Sequence, residues 1–76
     1  MIKINLNTNL SRKEVITDDA VTVLQFLEGE QVGFTGAFIA FNGTPLNEEQ
    51  LNTPIRELAG DKDVCFINVI IKTDHN

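Results

Sequence analysis

The chain holds few side chains able to do chemistry. One cysteine, Cys65, and one histidine, His75, are the sole members of their kinds among 76 residues. Cys65 could act as a nucleophile or sulfur acceptor only as a thiolate. It sits inside the apolar run "VCFINVII" with no neighbouring His or Lys to lower its pKa, so it reads as a small apolar core residue. His75 falls in the polar terminal stretch "TDHN" and reads as a solvated side chain. A metal site needs several convergent His, Cys or carboxylate ligands, and one His with one Cys leaves only an oxygen-rich site. Asp61 and Asp63 could contribute to one, but the EF-hand spacing is absent and a solvated acidic loop is expected. The acidic pairs Asp18-Asp19 and Glu48-Glu49 would need a cleft to separate their pKa values before they could act as acid and base. They are read instead as charges upstream of a helix start, and as a solvated loop. Gly33, Gly36 and Gly43 lack the lysine and the strand–loop–helix setting of a phosphate-binding loop. No catalytic residue, metal or cofactor is assigned, and the chain is not expected to be an enzyme.

The elements that would position any site follow from periodicity. Residues 2–7 alternate, with Ile2, Ile4 and Leu6 on one face, which is the pattern of a half-buried strand. The cluster "NTNLS" is a turn, and "RKEVIT" (12–17) returns as a second strand. In "VTVLQFLEGEQVG", Thr22 and Gln25 have the spacing of a capping box, and Val21 and Phe26 that of a hydrophobic staple. Val23, Phe26 and Leu27 then share one helical face, so a helix is placed at about residues 23–32 with Gly33 as its stop. "AFIAFN" is a strand and Asn42-Gly43 a turn. Pro45 lacks an amide donor, so any strand after the turn is a short edge segment. "NEEQLNT" is loop-like with Leu51 as an apolar anchor. "TPIREL" places Thr53 at a cap and Pro54 at a first helical position. The last strand, 64–72, is apolar on both sides, as befits the middle of a sheet.

The fold class is therefore α+β: a mixed sheet of four to five strands packed on one helix, in the order ββαββ, short helical turn, β. Residues 1–72 form a single domain and residues 73–76 a polar tail. A chain this short buries roughly 60% of its unfolded surface, and a lone cysteine rules out an internal disulfide scaffold. The formal charge is −5 and the six basic residues are scattered. They form no basic stripe of the kind that displaces counterions from phosphates, so nucleic-acid binding is not expected. No membrane span or apolar signal region is evident, and a cytoplasmic location is expected.

This order, and the passages "AFIAFNGTPL" and "LNTPIRELAGDKDVCFINVII", resemble ubiquitin-like β-grasp proteins over essentially the whole chain. "VTVLQFLE" and "AGDKDVCFINVI" are most similar to the bacterial sulfur carriers of thiamin and molybdopterin synthesis. The resemblance implies either a binding module or a carrier or modifier acting through its C-terminus. The modifiers and carriers end in Gly-Gly, whereas Lys72 and Thr73 stand where that pair would fall.

The feature that points to function is an excess of apolar residues. On the last strand Cys65, Ile67, Val69 and Ile71 alternate with Val64, Phe66, Asn68 and Ile70. Asn68 marks the second set as facing away from the helix. By the same alternation Ile39 and Phe41 point inward, and Phe38 and Ala40 outward. Phe38, Ala40, Phe66, Asn68 and Ile70 are thus the candidate residues of a partner-binding face, with Phe38, Phe66 and Ile70 as an exposed apolar patch. The expected function is a non-catalytic module recognising a protein partner. The alternatives are a sulfur carrier or modifier, and an accessory or scaffold subunit with a possible weak homo-oligomer paired through a sheet edge.

Overall fold

The computed structural model describes residues 1–71. Five strands, β1 (Ile2–Thr8), β2 (Arg12–Thr17), β3 (Ala37–Phe41), β4 (Thr44–Pro45) and β5 (Val64–Ile71), form one sheet in the order β2-β1-β5-β3-β4. Helix α1 (Val23–Gly29), a 3-10 turn (Gln50–Asn52) and the short helix α2 (Ile55–Ala59) complete the fold. β1 and β5 pair in parallel, Ile4 with Cys65 and Leu6 with Ile67, while β3 runs antiparallel to β5. β5 is thus central, which explains why its apolar residues occupy both faces.

The inner face is a dry core. Ile2, Ile4 and Leu6 of β1 and Cys65, Ile67 and Val69 of β5 are buried against Val23, Phe26 and Leu27 of α1. At its start α1 is held by a complete capping box. The Gln25 N–H donates to Thr22 Oγ1 at 3.1 Å, and the Thr22 N–H donates to Gln25 Oε1 at 3.0 Å. Val21, just before the cap, packs against the cluster that contains Phe26.

The helix is shorter than its sequence pattern predicts. It ends at Gly29 rather than running on toward Gly33, because Gln31 adopts a left-handed conformation (φ 58°). The Val32 N–H donates to the Leu27 carbonyl and the Gln31 N–H to the Glu28 carbonyl, each at 3.0 Å. These two bonds define a Schellman cap in which a glutamine occupies the position usually given to glycine. As a result α1 stops short of the far end of β5. Ile71 lies on the inner face by register and yet is half exposed.

Two more local expectations are corrected. Pro54, not Thr53, is the N-cap of α2, so the helix opens one residue later. The reason is a cross-link to the start of α1: the Ile55 N–H donates to the Val21 carbonyl at 2.8 Å, and the Val23 N–H to the Thr53 carbonyl at 3.4 Å. The segment expected as a plain loop contains the 3-10 turn, closed by a reciprocal pair. The Gln50 N–H donates to Asn47 Oδ1 at 2.9 Å and the Asn47 N–H to Gln50 Oε1 at 2.8 Å. Leu51, buried, anchors this turn to the core.

Candidate functional site

The face of the sheet away from α1 carries Lys3, Asn5 and Asn7 of β1, the even-numbered residues of β5, and Phe38 and Ala40 of β3. Phe66 is 49% exposed, Val64 49%, Ile70 46% and Phe38 45%. Register sets their arrangement. Ile70 lies directly opposite Phe38, Asn68 opposite Ala40 on one side and Asn7 on the other, and Val64 opposite Lys3. The apolar surface therefore has two lobes, Phe38 with Ile70 and Phe66 with Val64. Between them runs a polar bar in which Asn7 Nδ2 donates to Asn68 Oδ1 at 3.0 Å.

Ala40 departs from its predicted role. It points outward by register, but it is 5% exposed. Its single methyl lies low between Asn68 and Pro45, its partners on the two flanking strands, and larger side chains rise around it. It forms the floor of the surface and offers little area of its own. Val64 belongs to the patch although the candidate set omits it, and Ile16 of β2, 64% exposed, lies on the same side of the sheet at its edge. The alternation in 64–71 already places Val64 with Phe66. Ile16 can be placed only once the β1–β2 register is known.

Two asparagines bond to the backbone of β5, one at Phe66 and one at its end, Ile71. Asn42, with φ 49°, and Gly43, with φ 85°, form a two-residue hairpin turn that needs positive φ at both positions. The Asn42 N–H donates to the Phe66 carbonyl, and the Phe66 N–H donates back to Asn42 Oδ1, both at 2.8 Å. The turn side chain thus stands in for a strand residue and sets the backbone of Phe66. At the end of β5 the Ile71 N–H donates to Asn9 Oδ1 at 2.7 Å, and Asn9 Nδ2 donates to the Ile71 carbonyl at 3.2 Å. A shallow depression of about 390 Å³ beside Phe66 is bordered by Asn42, Lys62, Val64 and Asn68.

The titratable groups gather elsewhere. Arg56 donates from Nε (2.9 Å) and Nη2 (2.8 Å) to Asp19 Oδ2, from Nη2 to Asp63 at 3.1 Å, and from Nη1 to the Gly60 and Lys62 carbonyls at 3.0 Å each. Asp19 Oδ1 faces the Met1 ammonium at 2.8 Å, and no other donor reaches it among the described residues. The ammonium first, and then Arg56, hold the Asp19 carboxyl below the ordinary aspartate value, and Asp19 and Asp63 raise Arg56. Asp19 thus serves this corner rather than the start of α1, while Asp18 accepts from the Ala20 N–H at 2.9 Å. Asp63 is committed to Arg56, Cys65 is fully buried, and Glu48 and Glu49 are exposed. Among the described residues no group of three or more His, Cys, Asp or Glu is placed to hold a metal ion, and no helix is long and apolar enough to cross a membrane. A larger groove, about 650 Å³, lies where α1 ends, between Leu6, Leu10, Val32 and Ile71, with the Lys13–Glu30 ion pair (2.6 Å) at its rim. His75, and Lys72 and Thr73 near where the resemblance would put a diglycine, lie outside the described residues.

No protein-family model and no curated protein matches the chain. Solved structures do match it. A ubiquitin-like protein from Trypanosoma brucei superposes with a TM-score of 0.69 at 14% identity, over 95% of each chain. The C-terminal ubiquitin-like domain of mouse tubulin-specific chaperone e gives 0.64 at 10% identity, covering 99% of this chain and 90% of that one. The thiamine biosynthesis protein ThiS from Geobacter metallireducens gives 0.62 at 18% identity, covering 95% and 99%. At these identities the likeness establishes the fold: a ubiquitin-like β-grasp, with a mixed five-stranded sheet on one main helix.

Proposed function

We propose that this ubiquitin-like module is a non-catalytic binding domain that recognises a protein partner through the open face of its sheet. One observation carries the reading. Four large apolar side chains, Phe38 with Ile70 and Phe66 with Val64, stand half exposed in two lobes on the sheet face that no helix covers among the described residues. None of them belongs to the core cluster. Large exposed patches on a small domain are costly to keep in water and usually mark an interaction surface. Aromatic anchors around a fixed polar bar suit such a surface, because a partner must answer the Asn7–Asn68 pair as well as fill the two lobes.

Site-specific photo-crosslinking in the native cell tests this. A photoreactive phenylalanine analogue at position 38 and, separately, at position 66 should each form an adduct with the same protein. The same analogue at Leu10, which is more exposed but lies on the hairpin turn, should not. Adducts that form equally from all three positions, or from none, contradict the reading.

A further inference from the structure

Among the described residues the sheet has one long strand with nothing beyond it. β2 occupies the end of the strand order, and among the described residues β1 is its sole partner. The Thr8 N–H donates to the Ser11 carbonyl at 2.8 Å, which makes 8 and 11 a hydrogen-bonded pair. Such pairs recur at every second residue of an antiparallel ladder, so Lys13, Val15 and Thr17 turn their backbone groups toward β1. The N–H and C=O groups of Arg12, Glu14 and Ile16 therefore point to the free edge. An open edge with an exposed isoleucine is a template for strand addition. Ile16 is the most exposed apolar residue of any strand here.

The charges on this edge select what can add to it. A two-fold axis through an antiparallel strand pair keeps each residue opposite one of the same sheet face, so the axis must pass through a residue. Centred on Lys13, the pairing sets lysine against lysine. Centred on Glu14, it sets glutamate against glutamate. Centred on Ile16, it sets Glu14 against Asp18 twice. Centred on Val15, no like charges meet. Val15 faces Val15, Glu14 faces Ile16, Lys13 faces Thr17, and Arg12 faces Asp18 at both ends. The two Ile16 side chains then become diagonal neighbours, within reach of each other. Glu14 is already matched by Lys3 at 3.3 Å and Lys13 by Glu30 at 2.6 Å, so neither needs a partner across the new seam.

We infer that the β2 edge binds a second copy of this chain, in the antiparallel register centred on Val15. The two sheets join into one continuous sheet with β2 beside β2. The seam is narrow and its cross-strand pairs contribute modestly, so the dimer is weak and forms at high protein concentration. It is independent of the open-face reading, because it uses the sheet edge and leaves Phe38, Phe66 and Ile70 uncovered.

Cysteine coupling and a charge swap test it together. The Val15 pair is a non-hydrogen-bonded pair with Cα atoms about 4.5 Å apart, inside the range a disulfide spans. Val15→Cys should couple into a covalent dimer under mild oxidation. Thr17→Cys should not, since the two copies of residue 17 would lie about 14 Å apart along the strands. Cys65 is fully buried in both variants and serves as a common background. In sedimentation runs from micromolar to about millimolar protein, Arg12→Glu and Asp18→Arg should each weaken dimerisation roughly tenfold or more, and the double variant should restore it. The inference is overturned by a monomer at every concentration, by equal coupling through residues 15 and 17, or by a double variant as weak as the single ones.

Discussion

β5 presents two faces, and they use the same kinds of residue for different ends. On the inner face Cys65, Ile67 and Val69 are removed from water altogether, under α1 and beside β1. On the outer face Phe66 and Ile70, at least as large, are left half in water. Burial of a large apolar side chain contributes about 1.5–3 kcal/mol to folding, so leaving several uncovered in a chain this short forgoes stability. The inner residues hold the domain together. The outer ones are held in place by it, through the Asn42 and Asn9 bonds to Phe66 and Ile71.

The contrast can be broken most directly by truncating neighbours on the same strand. Ile67→Ala should destabilise the domain by about 2–5 kcal/mol, from lost burial and the cavity left behind. Phe66→Ala, one residue away and larger, should cost under about 1 kcal/mol. Denaturant titration of both variants checks this, and similar losses would erase the distinction between the faces. A smaller effect sharpens the boundary of the inner face, which stops where α1 stops. Gln31→Gly relieves a left-handed glutamine and should stabilise the fold by about 1 kcal/mol. The thermal midpoint should then rise by about 4–8 °C.

The smallest effect concerns the Asp19–Arg56 corner, which touches neither face. Its carboxyl is held below the value it would have in the unfolded chain. The stabilisation is therefore complete above the unfolded value, about 3.9, and is lost as pH falls below it through the lowered folded value. A thermal midpoint followed from pH 5 downward should drop less steeply in Asp19→Asn than in the wild-type chain. Both faces should loosen together in each protein.

Much of this arrangement is legible in the sequence. Strict alternation in 2–7, the Thr22-Gln25 box and Asn42-Gly43 settle the order of elements, because each is a local signal. The end of α1 is not legible, since the left-handed position falls on Gln31 while Gly29 and Gly33 flank it. The Arg56–Asp19 tie spans 37 positions and leaves no local pattern. The Asn47-Gln50 pair does have the spacing of a reciprocal cap, and the acidic residues between them hide it. Within the candidate site, alternation puts Phe38, Phe66 and Ile70 on one face. It cannot show that Ala40 is covered, because cover depends on what flanks a residue across strands.

If the open face binds a partner, as proposed, while the inner face holds the fold, one variant separates the two roles. Phe66→Glu puts a charge in the centre of the outer face and leaves every inner-face side chain in place. Partner capture from the native cell, measured alongside the circular dichroism spectrum and thermal midpoint, should show binding lost while the domain remains folded. Undiminished capture by a folded Phe66→Glu protein would show that this face does not bind the partner.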